Sequence, residues 1–309
     1  MSELLTRNNI NWLTVPVRLD RTKFRFTEVH FLDVGQGNMT VVIFPNDFVM
    51  VYDCNITTEN AASVLTHLYH ILPPNHRWIN TFINSHRDAD HITGIEILHA
   101  CFPIYEIIDA GVAGNATDSA QYQKYMQIRR SVQCTEVQGH KLVGDDNFYV
   151  LIMGGCIDGE DDCNRQSLVV KINHYGSSVL LTGDTDSKVW RDFLVPRYGG
   201  VLQSHVLLAS HHGSYSFFEL NDYYYYKGHM DVIRPEMTVI SVGKDNQHEH
   251  PDNEALLYYA QHSTGGRFGH RIFRTDFHKN IALELRGSGQ WFMRTHEIPS
   301  GLLGAGTGR

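Results

Sequence analysis

Between positions 78 and 94 the chain reads WINTFINSHRDADHITG, and six consecutive residues of it hold four metal-binding side chains: His86, Asp88, Asp90 and His91. Imidazole nitrogens and carboxylate oxygens at this density are the donors of a divalent-cation site. An apolar run (Trp78, Ile79, Phe82, Ile83) comes before them and a helix-compatible run, ITGIEILHA, comes after. The four groups therefore occupy a loop between a buried strand and a helix. A loop is free of the strand's alternation and of the helix's period, so it can turn all four toward one point. A polar loop that is merely rich in histidine is the plain alternative.

The chain has 19 histidines, and two further clusters, His211-His212 and His248 with His250, also follow apolar runs (SHVLLASHHGS and MTVISVGKDNQHEHP). Asp184 ends another such run, SLVVKINHYGSSVLLTGD, which reads as a hairpin turning at 174–177. The loop GGCIDGEDDCNRQ carries Asp158, Glu160, Asp161 and Asp162, but its spacing does not match a calcium loop and it reads as solvated.

Elements that would position these groups can be read along the chain. FRFTEVHFLDVGQGNMTVVIFPNDFVMVYDCN predicts a three-stranded meander, turned at Gly35-Gln36-Gly37-Asn38 and at Pro45-Asn46-Asp47. Gln36 and Asn38 are turn formers that could also line a site, and Asp53 at the third strand's end reads as a turn or capping carboxylate rather than a ligand. Helices are predicted at 57–72, 92–100, 117–130, 190–198 and 252–262, and strands at 105–109, 148–153, 271–275, 281–286 and 290–295. Meander, βα units, hairpin and βα units again imply an α/β protein of two mixed sheets packed face to face with helices outside.

A chain of 309 residues, 42% hydrophobic and 19% charged, can bury a sizeable core. The organisation read from it is an N-terminal extension over 1–25, a main domain over 26–296 and a flexible tail over 297–309. No secretory signal or membrane-spanning run is present in the sequence, so a cytoplasmic protein with no membrane partner is expected. The five cysteines (Cys54, Cys101, Cys134, Cys156, Cys163) are odd in number and scattered, as reduced thiols are. Cys156 and Cys163 could ligate a metal, but isolated thiols are the preferred reading. The net charge of −8 lacks the basic excess of a protein that holds long nucleic acid through its phosphates.

In order, FLDVGQGN, SHRDADH, NRQSLVV, LLTGD, LLASHHGS and SVGKDNQHEHP resemble the metallo-β-lactamase fold hydrolases. The chain is most similar to the stand-alone, ComEC-like group, the hydrolase domain of the competence channel protein, over roughly residues 26–286. The resemblance implies a four-layer αββα sandwich and two divalent cations, Zn²⁺ or Mn²⁺. It assigns His86 and Asp88 to the first cation, Asp90 and His91 to the second, Asp184 as a bridge between them, and His211 as the final ligand with His212 behind it. Asp88 stands where most zinc members have His, and Asn164 fills another usual histidine position. Two oxygen donors in place of imidazoles shift the first site toward Mn²⁺.

Such a pair suits hydrolysis of a phosphodiester, in a nucleic acid or nucleotide. In that reading Asp90 orients the attacking water, and His250 or Lys244 steadies charge on the phosphate. Hydrolysis of another small ester (a lactone, thioester, cyclic nucleotide or phosphocholine ester) is the alternative, and the acidic net charge favours it. A degraded site that only holds structure is a third reading. The tyrosine run at 223–226 is read as packing rather than as a base-stacking platform.

Overall fold

The computed structural model describes residues 26–154, 162–221, 223–266, 269–295 and 304–306. The expected extension over 1–25, most of the acidic loop with Cys156, Asp158, Glu160 and Asp161, and the tail apart from 304–306 lie outside the described residues.

The meander forms β1 (Thr27–Phe31), β2 (Thr40–Ile43) and β3 (Val49–Tyr52), paired antiparallel. The short segment β4 (Cys54–Asn55) and the helix Ala61–Ile71 follow. Then β5 (Ile79–Ile83), β6 (Ile104–Asp109) and β7 (Gln133–Glu136) add to β3 in parallel. A second sheet begins with β8 (His140–Gly144), β9 (Phe148–Gly154), β10 (Leu168–His174) and β11 (Ser177–Leu181), all antiparallel to their neighbours. It continues in parallel with β12 (Val206–Leu208). A small hairpin of β13 (Glu219–Asn221) and β14 (Tyr224–Tyr225) intervenes, and then β15 (Met237–Ile240) and β16 (Ile272–Arg274) complete the parallel part. The chain returns to the first sheet through β17 (Ile281–Gly287), β18 (Gln290–Thr295) and β19 (Gly304–Gly306), with β17 beside β1. The two sheets hold nine and seven strands.

Three apolar cores make the layers. Strand alternation sends Val42, Met50, Tyr52 and Ile83 of the first sheet, and Val150, Leu168, Val170 and Ile172 of the second, into a shared inter-sheet core. The opposite faces of β2, β3 and β5 (Val41, Val49, Val51, Phe82) pack on Val64 and Leu68 of the helix Ala61–Ile71 and on Ile95 and Leu98 of the helix Ile95–Cys101. Val169, Leu180 and Leu207 pack on Trp190, Leu194 and Tyr259 outside the second sheet. The expected αββα sandwich is what these faces build. Among the described residues no helix is long and apolar enough to cross a membrane.

Tyr225 of the tyrosine run stacks on Tyr258, with centroids 3.9 Å apart, whereas Tyr223 and Tyr224 are exposed. Tyr226 stacks on His229, which is caged further by Trp190, Phe217 and Phe218. Burial pushes His229 from the ordinary 6.5 down to about 3, so the folded protein holds it neutral. The unfolded chain takes up this proton below 6.5 and the native state resists it until about 3. Stability from this group is therefore complete above 6.5 and is lost as pH falls through that window. Between pH 7 and pH 5 the wild type is expected to lose about 2 kcal/mol more than His229→Phe, measured by urea unfolding. Equal losses in the two proteins would contradict this.

Candidate metal centre

The loops after five strands meet at one edge because these strands run parallel within each sheet. β3 delivers Asp53, β5 delivers His86 to His91, β11 delivers Asp184, β12 delivers His211 and His212, and β15 delivers Ser241. The carboxyl ends of parallel strands are the usual place for a site in an α/β fold.

Asp184 is the centre of the cluster and is buried. Its Oδ1 lies 3.2 Å from His91 Nε2, and its Oδ2 lies 3.8 Å from His86 Nε2, 3.7 Å from His211 Nε2 and 3.9 Å from His212 Nε2. Gly183 makes this approach possible: its φ is +56°, and a Cβ there would sit 2.8 Å from Ser167 Cβ and 2.9 Å from Ser85 Cβ. Among the described residues three groups of donor atoms each fall within 4.8 Å of one another: His86 with His91 and Asp184; Asp90 with His91 and His212; and His86 with Asp88 and Cys163.

The ring nitrogens are sorted by their partners. His91 Nδ1 meets Asp53 Oδ2 at 2.8 Å, and His86 Nδ1 meets Ser85 Oγ at 3.0 Å and Ser167 Oγ at 3.2 Å. The Nε2 atoms of both rings are buried without a hydrogen-bond partner. A buried imidazole whose Nδ1 is held and whose Nε2 is left open toward a carboxylate is set up to receive a cation. On this observation the donor set fits the divalent cations that the resemblance implies.

Charges in the cluster answer one another. Burial works against ionisation of Asp184, yet His91, His211 and His212 hold its carboxyl well below the usual range. Burial likewise opposes the charge on Asp90, and His91 and His212 outweigh it, so this carboxyl too is lowered. Burial opposes the charge on His91, but Asp184, Asp53 and Asp90 raise it well above an ordinary histidine. His86 is lowered, by burial first and then by the neighbouring His91.

The structure brings His86, Asp88, Asp90, His91, Asp184, His211 and His212 together. Of the two adjacent histidines, His211 is the expected final ligand with His212 behind it; in the structure His212 is the more buried of the two. His212 is buried, meets Asp90 Oδ2 at 3.1 Å through Nε2 and Ser241 O at 2.9 Å through Nδ1, and shares a donor group with Asp90 and His91. His211 has a side chain 32% exposed and its Nδ1 lies 3.3 Å from Ser216 Oγ. Asn164 Oδ1 lies 3.5 Å from Cys163 Sγ, which in turn lies 3.2 Å from Asp88 Oδ1.

Asp53 is the carboxylate that orients His91. It also accepts from Ser85 N at 2.6 Å, Ser85 Oγ at 2.7 Å, Asn38 Nδ2 at 3.2 Å and Asn84 Nδ2 at 3.3 Å. Gln36 and Asn38 clamp the first turn onto the site. Asn38 N donates to Asp90 O at 3.1 Å, and Gly243 N donates to Gln36 Oε1 at 3.3 Å. Gly37, at φ +141°, has no room for a Cβ, which would lie 2.7 Å from Asp90 O and 2.4 Å from Asn55 Nδ2. Gly37→Ala is therefore expected to push the Asp90 loop aside and to lower bound metal per folded chain, measured by elemental analysis; wild-type metal content would contradict it.

Lys244 follows Gly243 and is exposed, while His250 is half-buried with its ring 5.7 Å from that of His211. Sequence reasoning missed Ser85, Asn115, Ser167 and Ser241 as members of the site. Serines and asparagines of this kind carry no spacing signal, because they act through whichever partner the fold brings to them.

The chain matches no protein-family model. It is 32% identical over 115 residues to the competence protein ComA of Neisseria gonorrhoeae, covering 37% of this chain and 15% of that protein. It is 24% identical over 270 residues to the ComE operon protein 3 of Bacillus subtilis, covering 81% of this chain and 32% of that protein. The chain thus spans a third or less of the length of these relatives. CmlA of Streptomyces venezuelae, described as a diiron β-hydroxylase, superposes with a TM-score of 0.54 at 12% identity, over 84% of this chain and 54% of that one. The chain has the metallo-β-lactamase fold and is similar in sequence to ComEC-like competence proteins.

Proposed function

We propose that this chain is a metal-dependent hydrolase whose substrate is a phosphodiester. The observation that carries the reading is the pair of buried Nε2 atoms of His86 and His91, both aimed at the shared carboxylate of Asp184. His86 and Asp88 would hold one divalent cation, Asp90, His91 and His212 a second, and Asp184 both; Zn²⁺ and Mn²⁺ are the candidates. A cation pair supplies there a water of lowered pKa and neutralises charge on a phosphate.

The chain's own groups do the rest. Asp90, with Oδ2 engaged by His212, orients the attacking water. His211 and His250 flank the open side and can donate hydrogen bonds to the phosphate oxygens as charge develops. Lys244 adds an exposed cation beside the first turn. Ordered motifs shared with competence proteins favour a nucleic-acid or nucleotide diester. The net charge of −8 argues for holding a few phosphates rather than a long strand, so salt should slow cleavage only modestly. Free thiols at Cys54, Cys101, Cys134 and Cys163 support a cytoplasmic setting.

The direct test is cleavage of single-stranded DNA, duplex DNA, RNA and bis(p-nitrophenyl) phosphate with Mn²⁺, Zn²⁺ or Mg²⁺. Turnover of a lactone or thioester, with both cations bound and every diester left intact, would replace this reading with the other ester class. Lys244→Ala and His250→Ala are each expected to slow diester cleavage by about 10- to 100-fold and to leave the metal content unchanged. Loss of metal from either would place that residue among the ligands instead.

A further inference from the structure

The donor group of His86, Asp88 and Cys163 is not accounted for by the roles assigned so far. Cys163 is 2% exposed, and its Sγ lies 3.2 Å from Asp88 Oδ1. Asp88 is itself fixed from the other side: Asn115 N donates to Oδ1 at 3.1 Å and Asn115 Nδ2 donates to Oδ2 at 2.9 Å. His86 completes the triangle with its Nε2 3.9 Å from Asp88 Oδ2, and that nitrogen is buried and has no hydrogen-bond partner. The thiol is delivered by a tight turn before β10, in which Gln166 N donates to Cys163 O at 3.1 Å and Ser167 N donates to Asn164 O at 3.1 Å. The same turn places Ser167 Oγ 3.2 Å from His86 Nδ1. One short segment of the second sheet thus both orients the imidazole and presents the sulfur to it.

Other described cysteines lack this company. Cys54 Sγ donates to Thr93 O at 3.2 Å, Cys101 is exposed, and neither belongs to a group of metal donors. Four donors are needed to close a typical zinc site, and His86, Asp88 and Asp184 alone supply three.

We propose that Cys163 is a thiolate ligand of the first cation, taking the place that Asn164 would otherwise fill. The inference rests on the reading of this edge as a metal centre. Cys163 Sγ now donates its S–H to Asp88 Oδ1; to hold a cation the thiol would give up that proton to solvent and offer the freed lone pair to the metal. A sulfur donor reverses the preference that Asp88 and Asn164 would set between them: the first site takes borderline cations such as Zn²⁺ and Co²⁺, and soft Cd²⁺, ahead of Mn²⁺.

The test loads the full chain with Co²⁺ and reads its absorption spectrum. A sulfur-to-cobalt charge-transfer band is expected in the wild type and in Asn164→Ala, and is expected to vanish in Cys163→Ser while weaker ligand-field bands from the second site persist. Cys163→Ser is also expected to lower Zn²⁺ affinity at one of two sites by at least about 100-fold, with a much smaller effect on Mn²⁺. Two Co²⁺ bound with no charge-transfer band would overturn the thiolate ligand and leave the metal centre standing. No Co²⁺ bound at all would overturn the metal reading and this inference with it.

Discussion

Asp184→Asn is expected to release most of the bound cation and to lower turnover by on the order of 10³-fold, while leaving the sandwich folded. The expectation follows from position. One carboxylate reaches the Nε2 atoms of His86, His91, His211 and His212, all within 3.2–3.9 Å, so each donor group near it loses its shared charge when that carboxylate becomes an amide. None of the three apolar cores includes Asp184, and Asn preserves its size, so the far-ultraviolet circular dichroism should match the wild type. Metal content is the deciding measurement. An Asp184→Asn protein with wild-type metal by elemental analysis would remove the central carboxylate from the site.

Asp53→Asn should lower cation affinity and turnover by about 10- to 100-fold, although Asp53 is not expected to touch a cation. Its Oδ2 accepts from His91 Nδ1, which fixes the tautomer that leaves Nε2 open. An amide offers a donor where His91, Ser85 and Asn38 all need an acceptor, so stability falls as well, by about 1–3 kcal/mol. Stability loss alone would not prove a positioning role, and Asn38→Ala supplies the comparison. That variant also removes a hydrogen bond to Asp53 Oδ2 but leaves the bond to His91 in place. A positioning role requires cation affinity per folded chain to fall in Asp53→Asn and to stay near wild type in Asn38→Ala. Equal affinities in both variants would reduce Asp53 to a packing and hydrogen-bonding residue.

Much of this was legible in the amino-acid sequence because it is written in local patterns. Apolar runs mark β2, β3, β5 and β10, where each strand is buried on both faces and each face meets a different core. Short spacing marks the cluster at 86–91, since four ligand-type residues in one loop need no knowledge of the rest of the chain. The strand-end positions of Asp184 and His211-His212 could be read in the same way. β7 escaped because it is a polar edge strand, QCTE, with neither face fully buried, and so carries no alternation to read.

Tertiary structure alone decided which atoms meet. Asp53 and His91 are 38 positions apart, Asp90 and His212 122 apart, and Asp88 and Cys163 75 apart. Each pair joins through the packing of separate strand ends, and no periodicity reaches across such distances. The sequence names two adjacent histidines; the backbone at 211 and 212, with φ of 49° and 54°, decides which one turns inward to Asp90 and which stays toward the mouth. Residue types and local spacing thus determined that this chain builds an αββα sandwich with a cluster of His and Asp donors at one edge. The grouping of these side chains, and the approach of the Cys163 thiol to Asp88, came from the meeting of two sheets whose contacts are long-range and depend on shape.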